Sequence, residues 1–142
     1  MELLALGEEH VARVAQLAQR TTQFNLTGRR WIEPALRAAI ADGSLQGRVV
    51  FVRDRFGDYG LVGSVLYRRG EVLDVDSFFL SCRALGRGVE HRMLAHLGEL
   101  APVAIRLHFL PTERNTPARE FLDRTAAAWR AEEGAGTVFE VP

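Results

Sequence analysis

Lysine is missing from this sequence: all 18 basic residues are arginine. A chain without lysine forms no Schiff base through its own side chains and has no lysine general base. Cysteine is nearly absent as well. Cys82 stands alone, which excludes an intramolecular disulfide and any cysteine-cluster metal site. There is no run of about 18 apolar residues, so no membrane-spanning helix is expected. The start MELLALGEEH has neither the basic region nor the apolar length of a signal peptide. These features point to a cytoplasmic protein. Net charge is also absent, because 18 acidic residues cancel the arginines. That leaves no general positive field for nucleic acid or an anionic membrane. Any anionic ligand must be met locally.

What is present is ordinary globular composition: 142 residues, 47% hydrophobic and 25% charged. This length suits a single domain, 1–142, built around one core. From Glu8 to Arg20 the apolar positions Val11, Val14, Ala15, Leu17 and Ala18 recur at helical spacing. A second helix is predicted from Pro34, a favoured first helical residue, to Asp42-Gly43. The period then changes to two. Arg48–Arg53, Leu61–Tyr67 and Val72–Ser81 read as strands joined by short turns, hence an antiparallel meander. After Gly88 a helix places Val89, Met93, Leu97 and Leu100 on one face, and Val103–Leu110 alternates as a further strand. A helix of more than ten residues between two strands is what a parallel crossover requires. A last helix is predicted from Thr116-Pro117 to about Arg130, a loop over Glu132–Gly136 and a closing strand over Thr137–Val141. The expected fold is α/β, a mixed central sheet flanked by about four helices.

The segment FFLSCRALGRGVEHRM carries the most chemistry. Between a strand and a helix it sets Arg83, Leu85, Gly86, Arg87 and Gly88, where two glycines let the backbone approach a ligand and the first helical amides face it. Such a turn favours an anion, because unpaired N–H groups and the positive end of the helix dipole act together. A plain turn needing two glycines is the alternative.

This turn is followed one crossover later by Asn115-Thr116-Pro117-Ala118-Arg119-Glu120-Phe121-Leu122, and the pair resembles the GNAT acyltransferase superfamily. The resemblance implies that Arg83, Gly86, Gly88 and the amides of Leu85 to Gly88 hold the pyrophosphate of an acyl-coenzyme A, with Asn115 beside it. TTQFNLTGRRW, VRDRFGDYGLVG, FFLSCRALGRGVE and PTERNTPAREFL together look like the carboxy-terminal GNAT-like domain of FkbH-like proteins, the glyceryl transferases of polyketide assembly. Those four matches span Thr21 to Leu122. They imply a small hydroxyacyl group, the phosphopantetheine thioester of an acyl carrier protein as partner, and a haloacid-dehalogenase-type phosphatase domain or subunit. The phosphatase domain has no counterpart in these residues. Leu73-Asp74-Val75-Asp76-Ser77-Phe78 copies its DxDx[ST] signature superficially, but on a mid-chain meander strand where the context is wrong. No metal requirement and no phosphate release from bisphosphoglycerate are expected of this chain.

Where many GNAT enzymes place a tyrosine acid, this chain has Leu122. At the end of the strand, where those enzymes pass backbone groups along the pantetheine, it presents Ser81-Cys82-Arg83. Cys82 is therefore the candidate nucleophile, the alternative being a small buried hydrophobe. His108, near the end of the parallel neighbouring strand, is the candidate base, unless it bonds to Asp74 or Asp76 instead. Asn25, in Gln23-Phe24-Asn25-Leu26-Thr27, can line an acyl pocket or form an oxyanion site. Thr27 and Asp58 read as turn residues, with a site role left open for Asp58. Trp31 and Trp129 read as packing anchors. His91 and His96 are five apart, outside the spacing for a shared metal. Two further functions stay open: direct transfer from acyl-coenzyme A to an amine, and a non-catalytic module that docks a carrier protein.

Overall fold

The computed structural model describes residues 1–55, 57–100, 104–125, 130–133 and 136–141. Strand β1 (Glu2–Ala5) leads into helices α1 (Glu8–Arg20) and α2 (Glu33–Ala41) and then into the meander β2 (Gln46–Asp54), β3 (Gly57–Arg69) and β4 (Leu73–Leu80). Helix α3 (Val89–Leu100) crosses to β5 (Ile105–Phe109), α4 (Thr116–Thr125) follows, and β6 (Arg130–Glu133) with β7 (Gly136–Val141) closes the sheet. The seven strands lie in the order β1-β2-β3-β4-β5-β7-β6. Among the described residues only β4 and β5 are parallel neighbours, and they are the pair bridged by α3.

Helices cover both faces of the sheet. On one, Val11, Val14 and Leu17 of α1 and Leu36 of α2 pack on Val49, Leu66 and Phe79. On the other, Met93 and Leu97 of α3 and Phe121 and Leu122 of α4 pack on Val65, Phe78 and Leu107. Helix α1 forms because its apolar residues recur every third or fourth position. Glu8 and Glu9 in its first turn and Arg20 in its last complement the helix dipole.

One irregularity organises the site. Leu66 lies opposite Ser77 and Tyr67 opposite Val75, so Asp76 is an extra residue in β4, a β-bulge. The bulge shifts the alternation, so Leu73 and Val75 before it and Phe78 and Leu80 after it all face the α3/α4 core. Parallel pairing of β4 with β5 runs only from Leu73↔Ile105 to Val75↔Leu107 and ends there. Beyond the bulge the α1–α2 loop takes the neighbouring place. Leu26 N donates to Phe78 O (3.1 Å), Leu80 N to Phe24 O (2.9 Å) and Leu110 N to Leu26 O (2.9 Å). Residues Phe24–Leu26 thus stand as a short extra rung between β4 and the end of β5, with Asn25 bridged to Phe79.

Asp76 locks that loop in place. Its carboxylate, 4% exposed, accepts from Arg29 (2.7 Å), Arg68 (2.9 Å), the Trp31 indole (2.9 Å) and the Ser77 hydroxyl (2.7 Å). The Arg29 guanidinium also lies 4.2 Å over the Trp31 ring. Burial would raise the Asp76 pKa, but the bonds from Arg68, Ser77 and Trp31 and the charge of Arg29 outweigh it, holding the group below its ordinary 3.8. Because the folded pKa is depressed, the stabilisation is present above the unfolded value and is lost as pH falls through the folded one. Asp76→Asn is expected to cost about 2 kcal/mol near neutral pH, because it strips charge-assisted bonds while both arginines can rehydrate. Denaturant unfolding at descending pH checks this. The gap between Asp76→Asn and the unaltered protein should begin to narrow below about pH 4, the ordinary range of an aspartate, and close only below the depressed folded value.

Several expectations need correction. β1 is an added strand, paired with β2 but mostly exposed. The last helix is described over Thr116–Thr125, and Arg130, expected as its end, begins β6. Glu132 and Glu133, expected in a loop, pair with β7. Trp129 lies outside the described residues, whereas Trp31 is buried as expected. Asp58 accepts from Gly60 N (2.8 Å) and Thr27 from Arg29 N (3.4 Å), both local turn bonds.

Candidate active site

Past Leu80 the chain leaves the sheet through Ser81, whose N–H donates to Val62 O (2.6 Å), and winds one 3-10 turn over Cys82–Ala84. This turn puts Cys82 at the surface. The thiol is exposed, so the reading of Cys82 as a buried hydrophobe fails. It opens into a cleft of about 440 Å³ between α1 and the end of β4. Leu17, Phe24 and Leu80 form the apolar wall, Thr21, Thr22 and Ser81 supply hydroxyls, and Arg13, Arg20 and Arg83 supply charge. Arg83 is therefore on the same cleft as Cys82. Leu17 was read only as a core position of the helix and Arg13 and Arg20 were not singled out, yet their spacing carried the signal, since positions i, i+4 and i+7 share one helix face.

The other members of the expected site have different surroundings. His108 bonds Asp74 Oδ1 through Nε2 at 2.6 Å, the alternative partner rather than Cys82. Asp74 is six residues before the end of β4, about 20 Å at ~3.3 Å per residue. The bulge at Asp76 also turns the strand end away from β5. His108 as the base for Cys82 is therefore corrected, because two strand ends meet only where parallel pairing persists.

Asn25 is fully buried, its Oδ1 accepting from Gly28 N (3.0 Å) and its Nδ2 donating to Arg29 O (3.4 Å). Asn115, 1% exposed, donates to Asn25 O (3.1 Å) and Leu110 O (2.8 Å) and accepts from Thr112 N (2.8 Å). Its own carbonyl accepts from Ala118 and Arg119 N at the start of α4. Both amides are buried and bond backbone groups. Asn25 as a catalytic group and Asn115 as a cofactor contact are thus corrected to structural roles, together tying the Phe24–Leu26 rung to β5 and α4.

The turn before α3 is left-handed at both of its glycines. Gly86 and Gly88 adopt φ of 79° and 78°, and nothing lies within 4 Å of a Cβ built at either. The turn needs glycine for its left-handed backbone, and its surface is open. Leu85 is half-buried against the core. Arg87 stacks on Tyr59, 4.8 Å from the ring centroid, and reaches its hydroxyl at 3.4 Å. One residue here escaped the sequence reading. Glu90, 6% exposed in the first turn of α3, leaves Oε2 without a hydrogen-bond partner among the described residues. A carboxyl side chain is a common choice in the first turn of a helix. Among the described residues no three His, Cys, Asp or Glu side chains are grouped to hold a metal, and no helix is long and apolar enough to cross a membrane.

Neither a family model nor a curated protein matches the chain, but solved structures do. It is similar to a protein of Bacteroides thetaiotaomicron described as a GNAT-family acetyltransferase, with TM-score 0.70 and 16% identity over 99% of this chain and 86% of the other. A chimera of the spermidine N-acetyltransferase SpeG from Vibrio cholerae with hSSAT gives 0.60 and 15% over 99% and 95%. The IAA acetyltransferase of Bacillus cereus gives 0.59 and 8% over 99% and 96%. At these identities the likeness defines the fold: a single α/β domain with the architecture of GNAT acetyltransferases.

Proposed function

We propose that this chain is a GNAT-fold acyltransferase that holds a small, glyceryl-like acyl group as a thioester on Cys82 and passes it to the phosphopantetheine of an acyl carrier protein. The observation that carries the reading is the exposed Cys82 thiol in a cleft with three arginines and an apolar wall. A second observation supports it. The edge of β4 along which the resemblance runs a pantetheine is paired to Phe24 and Leu26, so an incoming arm meets Cys82 at the strand end. Four sequence matches to FkbH-like domains add the acyl class, the carrier protein and a phosphatase domain or subunit as supplier of the acyl unit.

In the first step the Cys82 thiol loses its proton to water and its sulfur attacks the donor thioester carbonyl. The new C–S bond forms, the donor C–S bond breaks, and the departing thiolate takes a proton from solvent. The acceptor thiol repeats the exchange in reverse and regenerates Cys82. Thioester exchange is close to isoenergetic, so the cleft mainly supplies orientation. Intact-protein mass spectrometry after incubation with an acyl-N-acetylcysteamine thioester tests it. A single acyl adduct, mapped to Cys82 by peptide digestion, is expected. An unmodified protein that still turns over donor would overturn the covalent step.

The GNAT fold itself favours a second reading, direct transfer from acyl-coenzyme A to an amine. It requires tight binding of coenzyme A at the Leu85–Gly88 turn and no protein-bound acyl group. Leu122 at the tyrosine position weighs against it.

A further inference from the structure

The Cys82 cleft adjoins a second hollow of about 280 Å³, and the two share Thr21 and Thr22 as a low divide. Five arginines rim the pair. Arg13 and Arg20 come from α1, Arg83 from the turn after β4, Arg30 from the α1–α2 loop and Arg114 from the β5–α4 loop. None of the five meets a carboxylate among the described residues, and the Arg13 guanidinium bonds only the Gln16 amide. Arg29, Arg37, Arg68 and Arg119, by contrast, are each ion-paired. Among the described residues Glu113 is the single acidic residue on either wall. In a molecule of zero formal charge, an uncompensated positive rim of this kind is a local feature of one face.

We infer that this rim is a docking surface for an acidic protein domain; the inference rests on the acyl-transfer reading, in which that domain is the carrier whose thioester arm enters the Cys82 cleft. Three features select a protein over a small anion. The arginines are spread over two hollows and four chain segments, so one phosphate could engage only a fraction of them. Arg20, Arg30, Arg83 and Arg114 are exposed, which suits the polar, arginine-rich rim of a transient interface. Leu110, an exposed large apolar residue at 43%, precedes the 112–114 wall of the second hollow and gives the partner an apolar contact. Complementary charge of this kind steers the encounter and weakens with salt.

The test is titration of the protein with an unacylated, phosphopantetheinylated acidic acyl carrier protein by calorimetry, at low salt and at about 0.5 M NaCl, where the screening length is only a few ångströms. Affinity is expected to fall at least about tenfold with salt, and a comparable amount in Arg30→Glu/Arg114→Glu. Arg92→Glu/Arg124→Glu, exposed arginines on α3 and α4 away from the rim, should stay within about twofold of the unaltered protein. Circular dichroism melting of both double variants verifies that they fold. Absence of binding by the unaltered protein, or equal weakening in the two double variants, would overturn the docking surface. So would free coenzyme A binding with the same dependence on Arg30 and Arg114, since that marks a small-phosphate site. Docking and transfer fail separately: carrier binding without Cys82 acylation by the small thioester removes the transfer reading, and acylation without carrier binding removes the docking surface.

Discussion

Cys82→Ala is expected to abolish protein-bound acyl and to slow carrier loading by two orders of magnitude or more, about 3 kcal/mol of lost transition-state stabilisation. The size follows from the chemistry. Without the thiol, the donor thioester and the acceptor thiol must meet directly in the cleft, and the advantage of a fixed nucleophile disappears. Cys82 is exposed, so its truncation leaves no core cavity and the variant should melt close to the unaltered protein. That separation of activity from stability identifies a nucleophile and not a packing residue. Cys82→Ser keeps the shape but replaces the sulfur with a poorer nucleophile; it should trap an oxyester that turns over slowly. Single-turnover acyl transfer with mass detection measures both variants. An Ala variant as fast as the parent would remove Cys82 from the reaction.

Phe24→Ala is expected to have the largest effect on stability, about 3–5 kcal/mol, as for large-to-small changes in a packed core. Phe24 is fully buried, with its ring centroid 5.8 Å from Phe78 and 5.4 Å from Phe121. It also lines the Cys82 cleft and belongs to the rung that fills the split between β4 and β5. Alanine there leaves a void between the sheet and α4 and loosens the backbone bonds of Leu80 and Leu26. Phe24→Leu, which keeps more of the volume, should lose less than half as much. Thermal or denaturant unfolding monitored by far-ultraviolet circular dichroism checks the order. A Phe24→Ala protein as stable as the parent would show that the α1–α2 loop is not part of the core.

These variants probe a site that was only partly legible in the sequence. Ser81-Cys82-Arg83 could be placed at a strand end because the β-branched and aromatic run read as Val72–Ser81 stops there and glycine-rich turn chemistry follows. The two glycines could be read as a turn, though not its hand, which at Gly86 and Gly88 is left-handed. His108 could be placed on the neighbouring parallel strand, and that is where it lies. Its distance from Cys82 could not be read, because it depends on how far the pairing of β4 with β5 continues. A single extra residue, Asp76, stops that pairing at Val75. Asn25 and Asn115 looked like ligand groups for a related reason. An amide in a motif has the same composition whether it faces a substrate or three backbone groups, and only the meeting of the α1–α2 loop with α4 assigns them to the backbone.

Helix α1, the β2–β3–β4 meander, the crossover through α3 and the α/β class were determined by the sequence alone, because periodicity and turn residues act over a few neighbours and need no distant partner. β1 and β6 were hidden for the converse reason. Glu2–Ala5 and Arg130–Glu133 have no apolar alternation of their own to read, and each is a strand because β2 or β7 offers it backbone partners. The tertiary structure alone decided the Asp76 latch, the Phe24–Leu26 rung and the arginine rim. In each case residues from several segments, up to 90 positions apart for Asn25 and Asn115, acquire their role through long-range contact. Local sequence sets which elements can form, and the free energy of burying and pairing them against one another selects which side chains are left facing the cleft.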